Sequence, residues 1–555
     1  MKACLAVLLS IFRVVVIPTQ FQDAEFTYPA DAFAPVLEKA GKYLDDQFRG
    51  LYEFHFDIAG TVTLSHTTDY YGANSPGIHD ALIYEAAAEA CRAVDNDMDF
   101  SVYDNDDDGK VDAVMLLTAG LSESDGAGEN LIWPQHRHLS DRSATITLDG
   151  KEIDGFFTVT ELKSDKGLNA RMSGIGTVCH EFLHSMDMPD LYDTDGEQSG
   201  GLYSPPGRFI CIMDEGNLND DGNTPPNFSA FEMSLLELGQ CDTLRTGSYT
   251  LEPLSRSDRY LWAPGGVKGE YFLFECRDNS GWDAGIGGQG MLITHVDRTE
   301  QAWNDKWLYN RLNSDPEHPC VRFVSAIPDP EQAAQLFFPQ PGHNAFGSGT
   351  EPPFTFWNGR TSLLSIKDIK LSANGNITFQ VIEPVNLDEI IVFQDAAMVS
   401  WKTNGIPSGS ICILEWSADG EEPGTAEIRS GNSYTIEHLK PHTSYNLKIS
   451  VVTPDKSTYT ISAPFKTKTY ISGINPYIYL RAEDRNENGT FKAGASIPLR
   501  VYNSVDASNT EWFFNNIPVP AASGHYTISG NGRLKAIVHH ADGTVDIIIK
   551  DIVAE

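Results

Sequence analysis

The segment from Cys179 to Asp190 constrains this chain more than any other, because it sets chemically specific side chains at fixed spacing. It reads C-H-E-F-L-H-S-M-D-M-P-D. On a helix, His180 and His184 stand four residues apart and project from the same face. Two imidazoles placed in this way suit Zn²⁺, which takes a third protein ligand and leaves one position open for water. Glu181 follows the first histidine and can take the proton of that water.

Asp190 is the predicted third ligand. Pro189 ends the helix, so the chain can turn there and bring the carboxylate back towards the two histidines. A short H-E-x-x-H motif also arises by chance, and Asp190 could instead be an ordinary surface residue after a helix. The flanking sequence therefore has to decide between these interpretations.

The charge balance excludes two broad classes of partner. The sequence has 40 Lys and Arg against 77 Asp and Glu, a formal net charge of −37. Binding to nucleic acid or to anionic lipid needs clustered cations, so neither is expected. An acidic surface permits cation binding and keeps an extracellular protein soluble, although most of the charge would be solvated in any case.

Residues 1–12 are predicted to be the remnant of a secretory signal peptide. Met1 and Lys2 precede an apolar run that ends at Phe12. This run is too short for a transmembrane helix, which needs ~20 apolar residues. No small-x-small cleavage site follows, and Arg13 leads directly into V-V-V-I-P, which predicts a first core strand. Either the leader is fused to the domain or the true start lies elsewhere; we expect an exported protein.

The eight cysteines show no C-x-x-C spacing, which excludes a cysteine zinc knuckle and a small disulfide scaffold. One or two disulfides and buried free thiols both stay open as interpretations.

The patterning predicts three domains after the leader. Residues 13–384 are predicted to alternate helices with short apolar strands. Ala30–Arg49 and Ala81–Val94 are predicted helices, and Ala113–Thr118 is a predicted strand. Residues 385–468 and 469–555 consist of short strand-like runs with frequent turn signals, which is typical of β-sandwiches.

The two C-terminal segments are each assigned to a sandwich class. The run L-K-P-H-T-S-Y ending at Tyr445 resembles the L-x-P-x-T-x-Y signature of fibronectin type III domains, whose tyrosine bonds back to upstream backbone. Residues 469–555 carry the strand-like run Trp512–Phe514 and are predicted to form an immunoglobulin-like sandwich.

Several ordered blocks resemble one family. The run H-E-F-L-H-S-M-D-M-P-D-L-Y-D resembles the zinc motif H-E-F-x-H-x-x-G-x-P-D-L-Y-D of the immune inhibitor A family of bacterial metallopeptidases. Four further blocks resemble that family in the same order: Arg13–Thr27, Asp99–Gly120, Ile212–Glu232 and Glu270–Asp297. The resemblance covers about residues 13–384.

The resemblance implies an α+β zincin-type catalytic domain, followed here by two all-β sandwich domains. It implies a secreted zinc endopeptidase that acts on extracellular proteins or glycoproteins. Asp190 would be the third zinc ligand beside His180 and His184, with Glu181 as general base. Met213 would occupy the Met-turn, in which a thioether packs beneath the zinc site. Oligomeric state stays open.

Asp187 departs from the family pattern, which has glycine there. Glycine leaves a helix with positive φ at no steric cost, and aspartate is among the few other residues that tolerate this region. Either the strain is small or the turn before Asp190 is distorted. The alternative function is therefore a catalytically impaired, calcium-stiffened surface protein that serves in binding or adhesion.

An acidic loop at residues 104–112 is the second candidate metal site. Carboxylates at Asp104, Asp106, Asp108 and Asp112, with Gly109 among them, follow the start of a calcium-binding loop. Its twelfth position is Met115 instead of a bidentate glutamate, so a complete EF-hand is excluded. We predict a variant Ca²⁺ site, with an acidic turn that binds no ion as the alternative.

Overall fold

The computed structural model describes residues 10–555 except 360, 405, 455, 457, 469–475, 479, 481–485, 487–489, 493, 503, 505–506, 521–523 and 542. Most of the predicted leader, residues 1–9, lies outside the described residues, while Ser10 already belongs to the first strand. The chain divides into two compact units. The first comprises residues up to 244, 248–344 and 368–379; the second comprises 245–247, 345–367 and 380–555.

A mixed sheet forms the centre of the first unit. Its strands and the hairpin beside it are β1 (Ser10–Gln20), β2 (Tyr52–Ile58), β3 (Val62–Thr63), β4 (Val114–Leu121), β5 (Gln135–His138), β6 (Ile146–Leu148), β7 (Lys151–Ile153), β8 (Gly155–Asp165) and β9 (Leu168–Met172). The order is β2-β1-β4-β8-β5, with β3 on β1 and β9 on β8. Strands β2, β1, β4 and β8 run parallel, whereas β5 and β9 run antiparallel to β8. Strands β6 and β7 pair separately.

Helices cover both faces of this sheet, which explains the continuous apolar run in β1. The helices here are α1 (Ala34–Gln47), α2 (Thr68–Tyr71), α3 (Ile83–Val94) and α4 (Ile175–His184). Val14 and Val16 pack in one core with residues of α1 and α4, whereas Val15 and Ile17 pack in another with residues of α3. The alternation follows the two-residue period of a strand.

The rest of the first unit holds short helices and a second sheet. These elements are α5 (Asn219–Gly222), α6 (Ala230–Leu235), β10 (Gln240–Thr243), β11 (Gly247–Leu251), β12 (Arg259–Pro264), β13 (Glu270–Arg277), β14 (Gly290–Asp297), α7 (Glu300–Asp305) and β15 (Val321–Phe323). The sheet order is β10-β12-β13-β14-β15. Strand β11 and strands β16 (Ser365–Leu371) and β17 (Ile377–Ile382) lie where the chain passes from one unit to the other.

A buried ionic cluster anchors the segment between α5 and β13. Arg277 is fully buried and donates to Glu275 (2.9 Å) and to Asp283 (2.8 Å). Glu275 accepts the amide of Ala230 at 2.5 Å, and Asp283 accepts the amide of Asn227 at 2.9 Å. These bonds fix the start of α6, and charges buried in this way stabilise a fold only while each has its partner.

In the second unit, residues 385–468 form two antiparallel sheets around one core. The strands are β18 (Val385–Val392), β19 (Ala397–Thr403), β20 (Ile411–Ser417), β21 (Gly424–Ile428), β22 (Ser433–Ile436), β23 (Ser444–Val452) and β24 (Thr458–Lys466). The orders are β18-β19-β22 and β21-β20-β23-β24. The hydroxyl of Tyr445 accepts the amide of Lys440 at 2.9 Å, the upstream backbone bond that the sequence predicted. Assignment to the fibronectin type III class stays a prediction.

The last part of the chain has its own β-core. The strands are β25 (Tyr477–Ile478), β26 (Ser496–Pro498), β27 (Val501–Tyr502), β28 (Ala507–Phe514), β29 (Ile517–Pro518), β30 (His525–Thr527), β31 (Gly532–His540) and β32 (Val545–Ile552). The main sheet runs β29-β28-β31-β32, and Trp512, Phe514 and Leu534 pack in its core. The predicted boundary at 469 lies outside the described residues, and the immunoglobulin-like class stays a prediction.

The seven cysteines that the structure describes are all free thiols; six are buried and Cys241 is exposed. Cys4 lies outside the described residues. In the described part of the chain, no helix is both long and apolar enough to cross a membrane.

Candidate metal centre

Helix α4 presents both predicted histidines, as their spacing requires. The imidazoles of His180 and His184 have ring centroids 4.9 Å apart and are almost perpendicular. The start of the helix packs directly on a neighbouring backbone segment, because a Cβ at Gly176 would lie 1.8 Å from the carbonyl oxygen of Asn217. Glycine at this position therefore lets the helix approach the segment that follows the site.

Backbone carbonyls orient both imidazoles. Nδ1 of His180 lies 2.8 Å from the carbonyl oxygen of Ile212, and Nδ1 of His184 lies 2.7 Å from that of Met188. A carbonyl oxygen only accepts hydrogen bonds, so each Nδ1 carries the proton. Nε2 is therefore the nitrogen that is left to bind a metal when the imidazole is neutral.

Asp190 completes a buried group of three donor atoms. Its Oδ1 lies 3.3 Å from Nε2 of His180 and 3.2 Å from Nε2 of His184. Asp190 is only 5% exposed, and none of the described residues gives its Oδ1 a hydrogen bond. Two imidazole nitrogens and a carboxylate oxygen that meet within 4.8 Å form a donor set that suits Zn²⁺. The residues therefore fit the metal that the sequence predicted.

The electrostatics of the group follow from burial and close opposite charges. Burial would lower the pKa of His184, but the Asp190 carboxylate raises it to about 9. Burial would raise the pKa of Asp190, but His184 and His180 hold it well below its usual range. Such a carboxylate stays ionised and keeps its negative charge between the histidines.

Glu181 lies beside these residues on α4 and is 6% exposed. Burial raises the pKa of its carboxyl, and the nearby His180 and His184 only partly oppose that effect. A carboxyl with a raised pKa is better suited to accepting and returning a proton than an exposed one.

Asp187 shapes the turn between the histidines and Asp190. It has φ +60°, the left-handed conformation that the family glycine would adopt freely. The amide of Met188 donates to the carbonyl of Leu183 at 3.2 Å, and the amide of Leu191 donates to the carbonyl of Met213 at 2.8 Å. The turn thus closes with aspartate in place, and Asp190 reaches both histidines.

Met213 is fully buried at the segment that contacts His180 and Leu191. Its amide lies 3.4 Å from Oε1 of Glu232, which also accepts the thiol of Cys211 at 2.9 Å. Burial raises the pKa of Glu232. Met213 thus lies in a buried segment whose backbone contacts both His180 and Leu191, and its role as a Met-turn stays a prediction.

Three residues near the site were not predicted from the sequence. The side chain of Asn310, which is 120 positions away, makes two hydrogen bonds to Asp190. The ring of Tyr192 stacks on that of His180, with ring centroids 6.4 Å apart. The ring of His136, on the edge strand β5, lies 6.5 Å from that of His184.

The acidic loop brings three of its four predicted residues together. Carboxylate oxygens of Asp104, Asp106 and Asp108 lie within 4.8 Å of one another. Asp112 instead accepts the backbone amide of Asn105 at 2.5 Å and its side-chain amide at 3.0 Å. The ammonium group of Lys151 contacts Asp104 at 2.5 Å and holds the pKa of that carboxyl below its usual range. The Ca²⁺ site stays a prediction.

The helix-borne H-E-x-x-H pair, the following aspartate and the mixed sheet are features of the zincin-like metallopeptidase class. Residues 19–239 match the model of the immune inhibitor A peptidase M6 catalytic domain. Residues 19–239 are therefore similar to the catalytic domain of the immune inhibitor A peptidases, the family that the sequence motifs resemble.

Two relatives show the extent of the similarity. Pre-pro-metalloprotease PrtV of Vibrio cholerae serotype O1 is 25% identical over 241 residues, which are 39% of this chain and 25% of PrtV. Immune inhibitor A of Bacillus thuringiensis subsp. alesti is 23% identical over 223 residues, 35% of this chain and 31% of that protein. The chain thus matches only about a quarter to a third of the length of these relatives.

Among solved structures, the fn3 domain of human collagen alpha-1(XX) chain is 22% identical, with a TM-score of 0.15. The match covers 17% of this chain and 84% of that domain.

Proposed function

We propose that this chain is a secreted zinc endopeptidase that hydrolyses peptide bonds of extracellular proteins or glycoproteins. His180, His184 and Asp190 hold Zn²⁺, and Glu181 is the general base. The observation that carries the proposal is the buried convergence of two histidine Nε2 atoms on one carboxylate oxygen, directly beside Glu181. The match of residues 19–239 to a peptidase catalytic domain supports the same reaction class.

When bound, the zinc ion supplies Lewis acidity that polarises a scissile carbonyl and makes water acidic near neutral pH. Glu181 takes the proton of the attacking water and delivers a proton to the leaving amine. Its burial favours this exchange, because it raises the pKa of the carboxyl. Tyr192, which is 37% exposed beside His180, is the candidate donor to the developing oxyanion.

Three features support an extracellular location. They are the predicted leader at residues 1–12, the net charge of −37 and the C-terminal β-rich unit. The name of the relative PrtV, a pre-pro-metalloprotease, is in line with export. In this proposal the β-rich unit holds the enzyme at a surface or at a glycosylated substrate.

The alternative, a catalytically impaired, calcium-stiffened surface binding or adhesion protein, requires that Asp187 distort the site. Its φ of +60° is a conformation that aspartate tolerates, and Asp190 still lies within 3.3 Å of both histidine Nε2 atoms. These distances favour the enzyme.

Metal analysis combined with a casein-cleavage assay tests the proposal on the full chain. We expect about one zinc per chain in the wild type and in Glu181→Gln, with cleavage lowered about 10²- to 10⁴-fold in the variant, because the base is lost while the ligands stay. Glu38→Gln, on the exposed face of α1, is the matched control and should cleave normally. A wild type without zinc or cleavage would overturn the proposal, and undiminished cleavage by Glu181→Gln would overturn the role of the base.

A further inference from the structure

Asn310 makes hydrogen bonds to Asp190 through both the nitrogen and the oxygen of its side-chain amide. Its Nδ2 donates to Oδ2 of Asp190 at 2.7 Å, while its Oδ1 accepts the backbone amide of Asp190 at 2.8 Å. One side chain therefore fixes both the backbone and the carboxylate of the predicted third ligand. Oδ2 is engaged by this amide, which leaves Oδ1 as the oxygen that faces the two histidines.

Asn310 is itself held by hydrogen bonds to the loop that follows Asp190 and to its own segment. Its φ is +52°, a left-handed conformation in which asparagine is enriched. Its carbonyl oxygen accepts the hydroxyl of Thr194 at 2.8 Å, and its amide donates to the carbonyl of Trp307 at 3.2 Å. The indole of Trp307 donates to the carbonyl of Asp297 at the end of β14, at 2.8 Å. The segment that carries Asn310 is therefore hydrogen-bonded to the second sheet of the first unit.

We propose that Asn310 is a positioning residue that presents Oδ1 of Asp190 to the metal, an inference that rests on the proposed function. Asparagine suits the task because its neutral amide offers a donor and an acceptor at once. An aspartate in the same place would keep the acceptor, lose the donor and set a second negative charge beside Asp190. Loss of such an outer partner weakens metal binding about 10- to 100-fold in other sites.

Zinc affinity, measured by chelator competition on the full chain, is the primary test. We expect Asn310→Asp to weaken Zn²⁺ binding about 10- to 100-fold and to change the visible spectrum of the Co²⁺-loaded protein, because the third ligand is misoriented. Asn310→Gly allows the same φ and removes both bonds, so it gives a second result if Asn310→Asp folds poorly.

Asn169→Asp is the matched control. Asn169, in β9, also has a positive φ, +51°, and its side-chain amide donates to the carboxylate of Asp165 at the end of β8, at 3.0 Å. This variant makes the same chemical change at the same kind of contact, an amide that donates to a carboxylate. Zinc affinity should therefore stay within about twofold of wild type, whereas Asn310→Asp is expected to lower it about 10- to 100-fold.

A double-mutant cycle separates an indirect role from a general structural one. If Asn310 acts through Asp190, adding Asn310→Asp to Asp190→Ala should change zinc affinity less than about twofold, because the two residues act as one unit. Wild-type affinity in Asn310→Asp and Asn310→Gly, together with a loss in Asp190→Ala, would overturn this inference and leave the proposed function intact. A wild type that binds no Zn²⁺ would overturn both.

Discussion

The backbone amide of Asp187 donates to the carbonyl of His184 at 3.1 Å, and Asp187 then turns the chain with φ +60°. The chain that leaves α4 at His184 therefore turns through a residue in the left-handed region. This turn decides whether Asp190 reaches the histidines, so substitutions at Asp187 report directly on the geometry of the candidate metal site.

Asp187→Gly should match the wild type in zinc affinity and cleavage, with stability within about 1 kcal/mol, because glycine adopts the same φ without steric cost. Asp187→Val should lose about 1–2 kcal/mol and bind zinc more weakly, because a β-branched residue is strained there. Chemical denaturation and chelator competition measure both effects. A tenfold or greater gain in cleavage by Asp187→Gly would instead show that aspartate distorts the wild-type site.

Arg277→Met should destabilise the protein by about 3–5 kcal/mol, because it leaves the buried carboxylates of Glu275 and Asp283 without their cation. Arg259→Met is the control. The Arg259–Asp242 pair is exposed, with 60% and 55% of the two side chains accessible, and should contribute less than about 1 kcal/mol. Urea denaturation of both variants compares them. Equal losses would contradict the role of the buried cluster.

Stability should depend on pH through Asp80, which accepts the amide of Trp133 at 2.8 Å beside the edge strand β5. Burial raises the pKa of this carboxyl to about 7, above its ordinary value of 3.8. The folded form therefore holds the proton more tightly, so the contribution to stability is complete below about pH 4 and is lost as pH rises through about 7.

Melting temperatures of the wild type and Asp80→Asn between pH 4 and 8 test this dependence. We expect the wild type to lose on the order of 3 kcal/mol relative to the variant over this range, because asparagine does not titrate. Parallel curves for the two proteins would show that Asp80 does not titrate between these limits.

Calcium should bind the acidic loop weakly, because an ion must first displace Lys151 from Asp104. We expect a dissociation constant of about 10⁻⁴ to 10⁻³ M, which is in the range of weak extracellular sites. Lys151→Met should bind Ca²⁺ more tightly, and Asp106→Asn more weakly. Calorimetric titration distinguishes these outcomes, and no binding to either the wild type or Lys151→Met would mean that the loop is an acidic turn only.

Features that depend on neighbouring residues in the sequence were predictable, both in the site and elsewhere in the first unit. The predicted helix Ala81–Val94 corresponds to α3, and the helix predicted over Ala30–Arg49 corresponds to α1 with a 3₁₀ turn before it. Both histidines project from α4 because residues at i and i+4 share a helical face. Met213 was placed by its resemblance to a family motif, and the structure buries it completely.

Contacts between distant segments were not predictable in the same way. Asn310 and Asp80 stand in stretches without a motif, and their partners are chosen by the packing of loops and by the order of strands. The same limit applies to Asp112: the spacing of the acidic loop suggested a fourth oxygen for a cation, but the fold directs this carboxylate to the amides of Asn105.

The sequence by itself determined the chemistry of the candidate site, since helical spacing makes His180 and His184 neighbours wherever the helix lies. Tertiary structure alone decided which atoms meet at the candidate metal site. The carbonyl of Ile212 and the amide of Asn310 select Nε2 of His180 and Oδ1 of Asp190, and both come from segments that only the folded sheets bring near. The reason is physical: local periodicity encodes the face of an element, whereas hydrogen bonds across the fold depend on where the other elements pack.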